Sequence, residues 1–327
     1  MMSSSAALVL ALGLILVNFT GHCHGALQVG FYRGKCRLLV DVESVVATVV
    51  KAKFIMDPTI TPALLRMQFH DCFVNGCDAS ILLDGRASEK TAPPNLSVRG
   101  YDVIDAAKAA LESICPGVVS CADIIAMATR DAVSLSGGGR YNVETGRKDG
   151  FVSLATNVNL PGPDIPLAQS VATFAKKGLN ATDMVYLLVE NYNQKTGFLS
   201  SIVHIVLSSK NTGKPDPNMD PSLLVSLRRI CPMNSARDNA VNLDQDPASS
   251  LRVDNSFFKQ IMMRRGILQI DQDLATNSLT KATVAKIATG NDFNAKFGEA
   301  MVKMGRVQVL TGNQGEIRKS CRAVNKR

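Results

Sequence analysis

Residues 64–85, "LLRMQFHDCFVNGCDASILLDG", concentrate reactive side chains in a chain with only four histidines. The apolar spacing predicts a helix through about Phe73, with Thr61, which is followed by proline, as its N-cap. Arg66 and His70 are four residues apart, so they share one face of this helix. A cation beside a potential base suits a reaction that moves a proton while negative charge develops.

Oxygen ligands and cysteines follow the histidine closely. Asp71, Asp78, Ser80 and the backbone of "VNG" offer the hard oxygen atoms that calcium prefers. From these residues alone three interpretations stay open. They are a catalytic histidine fixed by a calcium loop, a purely structural calcium loop, and a zinc site formed by His70, Cys72, Cys77 and Asp78.

The amino terminus predicts an exported protein. The apolar run over residues 6–17 is too short to span a bilayer, so residues 1–25 are interpreted as a cleaved signal peptide and residues 26–327 as one domain. Those 25 residues carry no charge, so the net charge of +8 belongs to the mature chain. Seven cysteines remain, which predicts disulfides and one unpaired thiol.

The charge pattern bears on partners. Basic residues gather in "IRKSCRAVNKR" near the carboxyl terminus, which favours attraction to acidic polymers. No aromatic residues are interleaved with them, so a nucleic-acid partner is not expected, and no later segment is apolar enough for a membrane.

The chain is predicted to be mainly α. Ser120 is predicted to cap a helix with Asp123 in the capping-box position, and no series of strands is evident. The other predicted helices span 38–56, 101–114, 164–176, 181–189, 221–230, 254–265, 282–288 and 294–304.

The opening stretch resembles the distal helix of plant secretory (class III) haem peroxidases. The resemblance covers nearly all of residues 27–325, through "ASEKTAPPNLSVRGYDVIDAAKAALESICPGVVSCADIIAMATRDAV", "GRKDG", "NLPGPD", "NTGKPDPNMD", "VDNSFF", "GILQIDQDL" and "MVKMGRVQVLTGNQGEIRKSCRAVN". It implies a two-lobed helical fold with disulfides and little β structure. The distal lobe would span about 26–160 and the proximal lobe about 161–327, with haem b between them.

The resemblance also implies an activity and its setting. The protein would be a secreted, monomeric peroxidase of the cell wall, apoplast or vacuole, oxidising small phenolic donors with hydrogen peroxide and serving peroxide removal under oxidative stress. Asn180 lies in the better of two glycosylation sequons, because Asn95, in the other, would be buried.

By position, the resemblance assigns site residues. His70 would be the distal base, Arg66 would stabilise developing charge, and Asn95 would hold the tautomer of His70. Phe69 and Arg66 would border the distal side of the haem, and Pro161 would line donor access.

Two calcium sites and three disulfides are implied as well. The first calcium would take Asp71, Val74 and Gly76 (by their backbone), Asp78, Ser80 and, through water, Glu89. The second would take side chains of Asp246, Ser249 and Asp254, with Arg252 at a backbone-ligand position. The bridges would join Cys36 to Cys115, Cys72 to Cys77 and Cys121 to Cys321, and Asp123 and Arg147 would form a buried ion pair.

One segment departs from the family pattern. Where the proximal haem ligand is expected, the chain has Asn191, and Tyr192 replaces the threonine that would serve the second calcium. The cysteine that would pair with Cys231 is missing, while Asp271 matches the carboxylate that would hold the proximal histidine. His204, further along, is more simply a surface histidine than an iron ligand.

The resemblance to the family is lost over the whole of residues 187–210 and resumes after them. A reading-frame slip that later returns, or a misplaced exon boundary, would produce such a block, and so would divergence of the protein. Two functions follow: an active peroxidase, or a pseudoperoxidase that acts as a calcium-stabilised extracellular binding protein.

Overall fold

The computed structural model describes residues 27–36, 40–162, 165–188, 215–230 and 241–326. The predicted signal peptide, Asn191, Tyr192, His204 and Cys231 lie outside these residues. The described part is mostly helical, as predicted. Its helices, here α1 to α11, are Val42–Met56, Ile60–Val74, Tyr101–Ile114, Cys121–Leu135, Leu167–Lys176, Ala181–Leu187, Pro221–Ile230, Ser256–Met262, Gln269–Thr276, Lys281–Thr289 and Phe293–Met304.

Little β structure accompanies the helices. Among the described residues the named strands are β1 (Gln28–Val29) and β2 (Glu144–Thr145), which pair antiparallel. Isolated bridges attach Lys148 to Leu310 and Asp149 to Glu316. None of the helices that the structure describes has the length and apolar character needed to cross a bilayer.

Buried apolar side chains form two clusters. One is built mainly on α1, α3 and α4, and the other on the helices that follow residue 167. Helix α2 contributes to both, since Leu64 belongs to the first cluster and Leu65, Cys72 and Phe73 to the second. The helix that carries His70 is therefore fixed from two sides, and twelve of its fifteen residues are buried.

Several helix ends differ from the predictions for identifiable reasons. Helix α2 begins at Ile60 and Thr59 precedes it, so the prediction of Thr61 as N-cap is wrong. The Thr61 hydroxyl donates instead to the Ala132 carbonyl, 3.1 Å away in α4. Helix α9, Gln269–Thr276, was not predicted.

The predicted cap of α4 is present, but without a reciprocal capping box. Ser120 Oγ accepts from the Asp123 amide at 3.1 Å. The Asp123 carboxylate turns away and accepts from Tyr32 at 2.7 Å, while the Arg147 guanidinium lies 2.8 Å from it. The predicted buried ion pair is therefore present, with side-chain exposures of 3% for Arg147 and 0% for Asp123.

The three predicted disulfides are all present. Cys36 bonds to Cys115, Cys72 to Cys77 and Cys121 to Cys321. The last one joins residues 200 apart in the chain.

The carboxyl-terminal segment packs against the amino-terminal cluster. Cys321 belongs to that cluster, and the fully buried Arg318 donates to the carbonyls of Ala79 (2.8 Å) and Gly150 (2.5 Å). The last residues of the chain therefore return to the side of the molecule that the amino-terminal cluster forms.

Candidate functional site

His70 lies in the last turn-and-a-half of α2 and is buried, with 7% of its surface exposed. Its Nδ1 atom lies 2.6 Å from Oδ1 of Asn95. Asn95 ends a single 3-10 turn, Pro93–Asn95, whose two prolines restrict the backbone before it. The turn places a buried amide against a buried imidazole.

The orientation of the Asn95 amide follows from its second contact. Its Nδ2 donates to the Glu89 carbonyl at 2.8 Å, so Oδ1 must face His70. An oxygen acceptor at Nδ1 requires a proton on that nitrogen. Nε2 of the neutral imidazole therefore keeps its lone pair and can act as a base.

The environment of His70 keeps the ring neutral. Burial, followed by the positive charge of Arg66, lowers its pKa to about 3, while the hydrogen bond with Asn95 opposes this shift. The imidazole is therefore neutral over the whole physiological pH range, as a base that abstracts a proton must be.

Arg66 is held to the same turn as Asn95. Its Nη2 donates to the Pro94 carbonyl at 2.9 Å, and its side chain is half-buried. The sequence placed Arg66 and His70 on one helix face, and the structure fixes both through residues 94–95. A positive charge is thus available next to the base.

Phe69 lies among aromatic rings beside His70. Its ring centroid is 4.0 Å from that of Phe73 and 5.8 Å from that of Phe174, in α5. Phe69 remains half-buried, so it presents an apolar face at the site. Pro161 is also half-buried, in the loop before α5.

The residues predicted for the first calcium lie directly beneath this site. Asp71, Asp78 and Glu89 are all buried, with exposures of 1%, 6% and 0%. Burial and the negative charges of Asp78 and Glu89 raise the pKa of Asp71 well above its usual value. Burial, with the charge of Asp78 added, raises the pKa of Glu89 to about 7.

This donor set fits an oxygen-preferring cation. The Ser80 hydroxyl and Glu89 Oε2 are buried beside Asp71 and Asp78, whose negative charges repel one another. No group of three or more His, Cys, Asp or Glu side chains in the described residues could hold a metal by itself. The Ser80 hydroxyl and the backbone carbonyls are further hard oxygen donors, of the kind that calcium takes and zinc does not.

The loop whose carbonyl oxygens are predicted to bind the first calcium is tightly constrained. Gly76 has φ +108°, and a Cβ there would meet the Gln308 carbonyl oxygen at 2.4 Å. The Cys77 amide donates to the Val307 carbonyl at 3.0 Å. Both cysteines of this loop are used in the 72–77 disulfide, which excludes them as zinc ligands.

The residues predicted for the second calcium form a cluster around an aspartate that the prediction missed. Asp244 is 5% exposed, accepts from Ser249 Oγ at 2.7 Å and accepts from the Asp246 amide at 2.9 Å. Burial, with the charges of Asp254 and Asp246 added, raises its pKa. The sequence signal was present, because "LDQD" offers two carboxylates and only the second was chosen.

Asp271, predicted to hold the proximal histidine, is buried. The residue is 1% exposed, and its Oδ2 accepts from the Leu268 amide at 3.1 Å. Burial raises the pKa of this carboxyl to about 7. His70 is the only histidine within the described ranges, so none of these residues supplies a proximal imidazole.

Asn180 is exposed and caps α6, accepting from the Asp183 amide through Oδ1 at 2.9 Å. An N-linked glycan would bond to Nδ2, and the cap uses Oδ1, so the cap and the predicted modification are compatible. Asn95, with 1% exposure, is inaccessible, as predicted.

Comparison with known proteins identifies the family of the chain. Residues 42–290 match the family model for peroxidase. The chain is 49% identical to Peroxidase 60 of Arabidopsis thaliana over 318 residues, which cover 96% of this chain and 95% of that protein. It is 49% identical to Peroxidase 57 of Arabidopsis thaliana over 300 residues, which cover 91% of this chain and 93% of that protein.

Proposed function

The chain belongs to the peroxidase family, and specifically to its plant secretory kind, and on that premise we propose that it reduces hydrogen peroxide with electrons from small phenolic donors. The observation that carries this proposal is the 2.6 Å contact between His70 and Asn95 beside the Arg66 guanidinium. Haem b, when bound between the two lobes, would supply the redox chemistry.

His70 and Arg66 would divide the work of breaking the O–O bond. Nε2 of His70 accepts one proton from hydrogen peroxide and returns it to the departing oxygen, which leaves as water. Arg66 stabilises the negative charge that develops on that oxygen. Each peroxide then takes two electrons and two protons from two donor molecules, giving a second water.

The residues present fit haem on one side. Phe69, Arg66 and His70 would face its distal surface with one apolar and two functional side chains. On the proximal side, the described residues provide only Asp271, whose family role is to accept a hydrogen bond from an imidazole. The proximal ligand would have to come from the segment that includes Asn191.

Calcium would fix the position of the base. Asp71 directly follows His70, so an ion bound to Asp71, Ser80 and the carbonyls of residues 74 and 76 would hold the end of α2. Asp246, Ser249 and Asp254, with the buried Asp244 beside them, support a second site. We also propose that the chain is secreted, is glycosylated at Asn180 and acts as a monomer. It would remove peroxide under oxidative stress and would be attracted to acidic wall polysaccharides.

A pseudoperoxidase is the second candidate, favoured by one specific observation. Asn191 stands where the proximal histidine is expected, and Asp271 is buried with a pKa of about 7 and a backbone partner. Such a chain would keep the calcium-stabilised fold without retaining haem.

One experiment separates the two candidates. The purified chain is reconstituted with haem and calcium, and its Soret band and peroxide-dependent oxidation of guaiacol are measured beside those of His70→Ala. An active peroxidase shows both signals and loses turnover in His70→Ala. A chain without either signal is then tested with residues 187–210 replaced by a relative's segment that carries a histidine. Recovery in that chimaera assigns the defect to the segment.

A further inference from the structure

Lys177 makes an unusual contact with the distal loop. It follows α5 as its C-cap residue, and its half-buried side chain reaches the end of α2. Its Nζ donates to the Val74 carbonyl at 3.2 Å and to Gln308 Oε1 at 2.5 Å. The neighbouring Lys176 is exposed.

The carbonyl that Lys177 contacts is one that attracts cations. Val74 is the last residue of α2, and the last carbonyls of a helix have no intrahelical donor and carry partial negative charge. The calcium site proposed above uses the same oxygen. The Val74 carbonyl oxygen is therefore a contact of the Lys177 ammonium and also a predicted ligand of the calcium ion.

The loop does not need Lys177 to keep its shape. The 72–77 disulfide closes it, and the Cys77 amide donates to the Val307 carbonyl. Asp71 accepts from the Ala79 amide at 3.0 Å, which fixes the other end. Replacing Lys177 would thus remove a charge rather than unfold the loop.

We propose that Lys177 is a resident cation of the distal calcium loop, which caps the Val74 carbonyl in the calcium-free protein and weakens calcium binding there. The inference rests on the calcium site proposed above. The positive charge of Lys177 close to a divalent ion opposes the binding of that ion. The hydrogen bond from the ammonium to the neutral Val74 carbonyl has a smaller effect on the calcium affinity than this charge has. Because coupling between two bound cations is reciprocal, calcium would also weaken the contact of Lys177 with Val74.

The test compares Lys177→Met with Lys176→Met, which removes the adjacent exposed lysine. Each protein is stripped with a chelator, and its calcium affinity is measured by competition with a calcium-sensitive dye. We expect calcium to bind Lys177→Met roughly tenfold more tightly than wild type, and Lys176→Met to match wild type. Any second calcium site is common to all the proteins and cancels in the comparison.

Two further variants keep the test decisive. Lys177→Arg retains the charge and should stay near wild type, whereas Lys177→Gln should resemble Lys177→Met and serves if the methionine variant does not fold. The calcium-induced rise in melting temperature should be larger in both neutral variants.

The outcomes distinguish a failure of the inference about Lys177 from a failure of the calcium site on which it rests. If wild type binds no calcium, the calcium part of the proposed function fails. If wild type binds calcium and the neutral variants bind it equally or more weakly, the inference about Lys177 is overturned.

Discussion

His70 Nδ1 lies 2.6 Å from Asn95 Oδ1, and Asn95 Nδ2 donates to the Glu89 carbonyl. This relay joins His70 through one amide to Glu89, a residue predicted for the first calcium site. The proton on Nδ1, and hence the free lone pair on Nε2, is set by the second contact of Asn95.

Asn95→Ala should therefore slow the reaction with peroxide, because the ring loses the partner that selects its tautomer. We expect the second-order rate constant to fall about 10- to 100-fold, the range for loss of a supporting contact of this kind. Stopped-flow absorbance of the haem-loaded protein measures it. The exposed Asn142 provides a control as Asn142→Ala, and equal rates in both variants would contradict the role of Asn95.

Arg66 should control the acid limb of the pH profile. Because the neutral imidazole is the base, the peroxide rate should stay level as the pH falls and decline near the His70 pKa of about 3. Arg66→Gln removes a positive neighbour, so the pKa should rise part of the way to its usual value and the decline should move to higher pH. Burial, the larger cause, remains in the variant. An unmoved acid limb would exclude Arg66 as a cause.

Asp271 should make stability depend on pH. Its folded-state pKa of about 7 exceeds the unfolded value of 3.8, so the folded state binds the proton more tightly. That contribution, up to about 4 kcal/mol, is complete below the unfolded pKa and is lost as the pH rises through about 7.

Asp271→Asn should remove this share of the slope, because the amide keeps the shape and never ionises, while the share due to Glu89 remains. Urea unfolding at pH 5 and pH 8 measures it, with Asp273→Asn in the same helix as the control. A wild-type chain equally stable at both pH values would mean that Asp271 is ionised and paired.

Loss of the long disulfide should mainly lower stability, whereas loss of the short one should mainly lower the peroxide rate. By loop length, Cys121→Ser with Cys321→Ser should cost about 5 kcal/mol of unfolding free energy, and Cys72→Ser with Cys77→Ser about 2 kcal/mol. The shorter bridge closes the calcium loop after His70, so its loss should reduce the peroxide rate more. Chemical denaturation and stopped-flow kinetics together check both rankings, and the same order in the two measurements would contradict the assignment.

Local signals predicted the parts of the fold that depend on nearby residues. Ser120 caps α4 because its partner is three residues away, and Arg66 and His70 share a face because helical spacing requires it. The destination of the Asp123 carboxylate could not be predicted in the same way, since Tyr32 reaches it from 91 residues away. The resemblance, and not periodicity, supplied its partner Arg147.

In the site, too, contacts between nearby residues were predicted and contacts between distant residues were not. Side chains within residues 66–80 were predicted because they are consecutive, whereas the contact of Lys177 with Val74 joins residues 103 apart. Asp244 was missed beside Asp246, because burial and not sequence distinguishes the two carboxylates.

The return of the carboxyl terminus to the distal side has a consequence for how the protein is made. Arg318 fills a fully buried position between the carbonyls of Ala79 and Gly150. Cys121, synthesised early, waits for a partner 200 residues later. A ribosome therefore releases the helix that carries His70 long before the residues that close the core around it. A chain that lacks its last dozen residues would lose the support of the amino-terminal cluster, although the truncation falls at the opposite end of the gene.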